Sequence, residues 1–118
     1  KLAGLNFYSG TVKDEDIKKI IISMHSNYNC SASIGDFARE CNLSLYRFIH
    51  KFKALTGMTP VEYLTKIRVD EAKALLSNSS LSIAEVSSIV GYDNPLYFSR
   101  VFKKVTGFPP SVYKKNAV

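Results

Sequence analysis

The stretch Phe98–Tyr113, FSRVFKKVTGFPPSVY, has a counterpart fifty positions earlier in Phe48–Tyr63, FIHKFKALTGMTPVEY. At that single offset Phe48/Phe98, Phe52/Phe102, Lys53/Lys103, Thr56/Thr106, Gly57/Gly107, Pro60/Pro110 and Tyr63/Tyr113 are identical. An internal repeat of this kind reports a structural unit used twice. In each copy two Phe residues four apart mark one face of a helix and a Gly stops it. A Pro then opens the next helix, at a position where its missing N–H has no helical partner to lose.

Upstream of each copy the same grammar continues. In the second, Ser82 caps a helix carrying Ile83, Val86, Ile89 and Val90, and Gly91 ends it. Asn94-Pro95 then caps and starts a helix running to about Val105, with Phe98, Phe102 and Val105 inward. In the first, Ser33 or Ser31 caps a helix with Ile34, Phe37, Ala38 and Cys41 on its apolar face. Asn42 ends it, aligned with Gly91 at an offset of 49, so the second turn is one residue longer. Asn and Gly are the residues that enter left-handed backbone most cheaply, which predicts the same sharp turn in both copies. Ser44 caps the next helix, Leu45 to about Leu55, with Phe48, Phe52 and Leu55 buried.

Three further helices complete the reading. Ile17, Ile20, Ile21, Met24 and Tyr28 recur at helical spacing after three acids from Asp14, which suit the positive end of a helix ending near Asn27–Asn29. Thr59-Pro60 starts a long helix with Val61, Leu64, Ile67, Ala72, Leu75 and Leu76 on its apolar face, closed by Ser77–Ser80. Pro110 opens a last short helix carrying Val112 and Tyr113. No segment alternates with period two. The predicted fold is all-α, with about seven helices forming two helix-turn-helix subdomains joined by a long linker helix. The expected divisions are a linker or arm over 1–13, a first subdomain over 14–59, the linker helix over 60–77 and a second subdomain over 78–118.

Composition narrows the function. The 118 residues carry a formal charge of +6 and an isoelectric point near 9.4, a balance that favours nucleic acid or another anionic partner. Residues 64–92 are neutral, whereas 93–118 hold Arg100, Lys103, Lys104, Lys114 and Lys115 against Asp93. The excess therefore gathers in the second copy. No apolar run approaches the ~20 residues of a membrane span, and no membrane partner is expected. There is neither a signal-peptide pattern nor an initiator Met, so the chain reads as a cytoplasmic piece of something longer. Cys30, Cys41, His25 and His50 fit no common zinc spacing, and Cys41 aligns with apolar Val90, so no metal is expected. No G-x-S-x-G, P-loop, HExxH or G-x-G-x-x-G motif occurs, and neither an enzyme nor a bound cofactor is expected.

A short helix, a turn and a second capped helix form the helix-turn-helix pattern, whose second helix reads the DNA major groove. With the Phe pairs inward, Tyr46, Ile49, His50 and Lys53 face outward in the first copy, and Leu96, Ser99, Arg100 and Lys103 in the second. Arg100 can bond bidentately to guanine, Ser99 can donate or accept at a base edge, and Ile49 and Leu96 suit thymine methyl groups. Lys53, Lys103 and Lys104 come late in their helices and suit phosphate; Arg47 and Tyr97 are assigned to the same phosphate-contacting group.

The arrangement resembles the C-terminal DNA-binding domain of AraC/XylS-type bacterial transcription regulators over about residues 14–115. SIAEVSSIVGYDNPLYFSRVFKKVTGFPPSVY (82–113) carries the resemblance most specifically. It implies two reading helices in consecutive major-groove segments of double-stranded DNA. By position it places base contacts at Tyr46, Ile49, His50, Leu96, Ser99 and Arg100. His50 departs from the family tendency, where Arg is frequent. The resemblance also implies the output domain of an activator, with RNA polymerase and an N-terminal sensing domain of the same protein as partners. The competing reading is an all-α helical-repeat scaffold for protein interaction, although two copies are few for a solenoid.

Overall fold

The computed structural model describes residues 14–29 and 33–114. Those residues form six α-helices and a terminal 3-10 turn, with no strand among them. In chain order the helices are α1 (Asp14–Asn27), α2 (Ile34–Glu40), α3 (Leu45–Thr56), α4 (Pro60–Asn78), α5 (Ile83–Ile89) and α6 (Pro95–Thr106); the 3-10 turn is Pro110–Tyr113. Backbone contacts divide the described residues into two compact units, one comprising 14–27 and 33–63, the other 28–29 and 64–114. The proposed arm over 1–13, and the alternative cap Ser31, lie outside the described residues.

In the first unit α3 packs against α1 and α2. Its core is Ile17, Ile20 and Met24 of α1, Phe37 and Ala38 of α2, and Phe48 and Phe52 of α3. The Phe48 and Phe52 rings meet edge-on at 5.7 Å, and Phe52 meets Tyr63 at 5.5 Å. The second unit repeats this with Phe98–Phe102 at 5.7 Å and Phe102–Tyr113 at 5.3 Å. The identical Tyr63 and Tyr113 are thus packing residues. Val69, Ala72, Leu76, Val86, Val90 and Tyr92 complete the second core. Burying each Phe contributes about 1.5–3 kcal/mol, which is why these letters recur unchanged.

The repeated Thr-Gly also has a local cause. Thr56 Oγ1 donates towards the Phe52 and Met58 carbonyls, both at 2.9 Å, and accepts from Met58 N. Thr106 does the same with Phe102 and Phe108. Each hydroxyl ties the last helical turn to the exit, after which Gly57 (φ 81°) and Gly107 (φ 87°) turn left-handed. The Thr59–Glu62 pair then caps α4, each backbone N–H bonded to the other's side chain.

Four expected core residues are instead exposed. Leu55 and Val105 fall in the last turns of twelve-residue helices whose helix-turn-helix partners, α2 and α5, have only seven residues. Their ends outrun that cover. Ile89 closes α5 and is 42% exposed. Val61 is exposed because α4 does not keep one apolar stripe: Pro60, Leu64 and Ile67 are buried on one side, Val69, Ala72 and Leu76 on another. Val69, fully buried, lies off the single apolar stripe for the same reason.

Candidate nucleic-acid interface

The second helix of each helix-turn-helix pair, α3 and α6, is entered through the same turn. In the first unit Ser33 Oγ accepts from Asp36 N at 3.2 Å while Asp36 accepts from Ser33 N at 2.8 Å. The helix ends with Leu43 N bonded to Ala38 O and Asn42 N to Arg39 O. Asn42 is left-handed at φ 56°. The second unit reproduces this with Ser82 and Glu85, then Tyr92 N to Ser87 O, Gly91 N to Ser88 O, and Gly91 at φ 103°. These paired bonds satisfy the carbonyls at each helix end and reverse the chain within three residues. Gly91 is needed twice over, since a Cβ there would stand 3.1 Å from the Tyr28 carbonyl oxygen.

Capping then sets the starts of α3 and α6. Ser44 Oγ accepts from Arg47 N at 3.2 Å, and Asn94 Oδ1 accepts from both Leu96 N and Tyr97 N, at 2.9 and 3.2 Å. Phe48 and Phe52 in α3, and Phe98 and Phe102 in α6, are fully buried. The opposite faces are therefore fixed outward. Tyr46 is 70% and Leu96 73% exposed. His50 and Arg100 are exposed, while Ile49 and Ser99 are half-buried at the edge of the stripe. Tyr46 and His50 lie one turn apart in contact, their rings tilted by 43° with centroids 4.1 Å from each other. Arg47, Lys53, Tyr97, Lys103 and Lys104 are all exposed. Every one of the proposed contact residues thus lies on α3 or α6, and none is enclosed in a core.

The charge is unequal between the units. Described residues of the first hold Lys18, Lys19, Arg39, Arg47, Lys51 and Lys53 against Asp14, Glu15, Asp16, Asp36, Glu40 and Glu62, a balance of zero. Those of the second hold Lys66, Arg68, Lys73, Arg100, Lys103, Lys104 and Lys114 against Asp70, Glu71, Glu85 and Asp93, an excess of three.

Arg68 of α4 is a contributor that sequence patterns did not single out. Its Nε donates to the Tyr28 carbonyl at 2.7 Å, and its guanidinium lies 5.3 Å from the centre of the Tyr92 ring. Tyr92 in turn touches Phe98 and Tyr97 of α6, at 5.5 and 5.9 Å. Burial pushes the Tyr92 hydroxyl above its ordinary range, opposed by Arg68. Contacts spanning forty residues leave no local signal. Cys41, half-buried, has its thiol pushed up by burial and by Asp16 and Glu40, the reverse of an activated nucleophile. Cys30 lies outside the described residues, so the fourfold zinc set is not described as a whole; among the described residues no cluster of three ligating side chains occurs.

Residues 37–116 match the model of a family described as "Helix-turn-helix domain". The chain belongs to the AraC/XylS-type helix-turn-helix family. It is an AraC-type DNA-binding domain of a transcription regulator, and this family and fold are not those of enzymes. It is 36% identical over 101 residues to the MmsAB operon regulatory protein of Pseudomonas aeruginosa, a match covering 86% of this chain and 33% of the relative. It is 34% identical over 105 residues to the lactose operon transcription activator of Staphylococcus xylosus, covering 89% of this chain and 38% of the relative. The chain thus spans about a third of the length of these AraC-type relatives. The AdpA DNA-binding domain, solved in complex with a target DNA, superimposes with a TM-score of 0.79 at 24% identity, covering 83% of this chain and 88% of that one. At that identity the likeness concerns the fold. No described helix is long and apolar enough to cross a membrane.

Proposed function

We propose that this AraC-type domain recognises a specific double-stranded operator by inserting α3 and α6 into consecutive major-groove segments. The observation that carries the reading is a pair of helices, each capped by a side chain at its start and by a left-handed Gly at its end, whose Phe residues are buried while Tyr46, His50, Leu96 and Arg100 are exposed and Ile49 and Ser99 lie half-buried beside them. On this reading Arg100 bonds guanine O6 and N7, Ser99 meets a base edge, and Ile49 and Leu96 meet thymine methyls. Arg47, Lys53, Tyr97, Lys103 and Lys104 contact phosphates and fix the register. The subdomain divisions at 14–59, 60–77 and 78–118 belong to the same proposal, with α4 joining two readers in one chain.

The wider assignment follows the relatives. The chain acts in the cytoplasm as the output part of an activator, joined to a sensing domain N-terminal to it and meeting RNA polymerase at the promoter. A relative named as a transcription activator, and the third of such proteins that this chain spans, support it. Titration of a duplex at several salt concentrations tests the DNA-reading function. Affinity should fall steeply with salt and differ by ~10³-fold or more between a selected and an unrelated duplex. Salt-independent, sequence-blind association would show instead a scaffold for protein contacts.

A further inference from the structure

The outer face of α3 carries a ring pair that α6 lacks. Tyr46 and His50 stand four residues apart, with ring centroids 4.1 Å from each other and planes tilted by 43°. Both side chains are exposed. No described residue hydrogen-bonds or ion-pairs with the imidazole, and the Tyr46 ring is the contact that orients it. Fifty positions on, the same two places hold Leu96 and Arg100. Leucine offers no ring there, and the guanidinium brings its own planar fork.

The two copies therefore present different donors. The Arg100 fork can meet guanine O6 and N7 together, a pattern adenine lacks because its N6 is a donor. An imidazole has its two nitrogens directed away from each other, so at most one N–H meets a given base edge. In the major groove N7 is an acceptor on guanine and adenine alike, and neither pyrimidine carries it. A single donor on N7 thus separates purine from pyrimidine while treating the two purines alike. A lone hydrogen bond also weakens steeply when misaligned, and ordering a free side chain on binding costs affinity. A ring held in place beforehand avoids both losses.

We infer that Tyr46 is a positioning residue that holds the His50 imidazole for one hydrogen bond to purine N7. The α3 half-site is then purine-selective at a position whose α6 counterpart is read as guanine. Tyr46, mostly exposed, meets the groove beside it. This rests on the DNA-reading function proposed above.

The test uses the full chain and duplexes recovered by binding selection, the His50 position being the one where His50→Ala relaxes base preference. Guanine and adenine there should bind within about 2-fold of each other, and pyrimidines about 3–10-fold worse. Replacing that purine by its 7-deaza analogue, which removes the N7 acceptor, should cost the unaltered chain about 3–10-fold and the His50→Ala chain nothing. Tyr46→Ala should blunt the 7-deaza response, Tyr46→Phe should restore it by keeping the ring, and the double variant with His50→Ala should lose less than the two single losses combined. Four results would overturn the assignment while leaving the DNA reading intact: no position relaxed by His50→Ala, strict choice of one purine there, a full 7-deaza response in Tyr46→Ala, or independent losses in the double variant. A chain that selects no duplex at all would overturn the DNA reading itself, and this assignment with it.

Discussion

The Arg68 guanidinium lies 5.3 Å from the centroid of the Tyr92 ring while its Nε donates 2.7 Å to the Tyr28 carbonyl. One side chain of α4 therefore braces the turn that leads into α6. Arg68→Ala removes a charge-assisted hydrogen bond and a ring contact together, and should cost about 1–3 kcal/mol in urea unfolding. Arg68→Lys should recover only part of it, because an ammonium has no planar fork to stack and bond at once. Full recovery by lysine would mean that charge alone matters there.

Two glycines with similar backbone should respond differently to alanine. Gly107, at φ 87°, has nothing within 4 Å of a built Cβ, so only the left-handed strain applies, about 1–2 kcal/mol. Gly91, at φ 103°, would press its Cβ against the Tyr28 oxygen and the Asn29 Cα at 3.1 and 3.2 Å, both backbone atoms. Gly91→Ala should therefore be the more damaging in thermal unfolding, by at least ~1 kcal/mol. Equal losses would show that the turn can open without resistance.

Stability should bend at both ends of the pH scale. Hydrogen bonds from Thr59 and Ser82 hold the Glu62 and Glu85 carboxyls below their ordinary 4.5. A depressed carboxylate stabilises the fold above its unfolded value, and that contribution disappears as pH falls through the folded one. Glu85→Gln, which keeps an acceptor, should flatten part of this acid arm. Burial raises Tyr92 above its ordinary 10.0, so the neutral phenol is the favoured form in the fold. Its contribution is complete below that pH and is lost as pH climbs through the folded value; Tyr92→Phe should make the alkaline fall shallower. Unfolding midpoints measured from pH 3 to 11 check both arms.

Much of this architecture is legible because its signals are local. Ser82, Ser44 and Asn94 cap across two or three residues, and the Phe pairs lie one turn apart, so helix starts and buried faces follow from the letters themselves. Reading fails where cover depends on something distant. Leu55 and Val105 lie on the apolar stripe, yet their seven-residue partners are too short to cover them. Val69 escapes a single-stripe reading because the buried side of α4 changes along its length. Arg68 and Tyr28 meet across forty residues. The outward faces of α3 and α6 follow by elimination from the buried Phe residues, whereas the base each side chain meets depends on the duplex.

That last dependence can be resolved by one measurement. Random duplexes should be selected in parallel with the unaltered chain and with Arg100→Ala, and the preferred sequences compared position by position. The account predicts two half-sites about one helical turn apart, with a guanine preference lost at a single position in the variant and an affinity loss of ~1–3 kcal/mol on the original site. An unchanged preference at every position would contradict the assignment of Arg100, and with it the claim that α6 reads the groove.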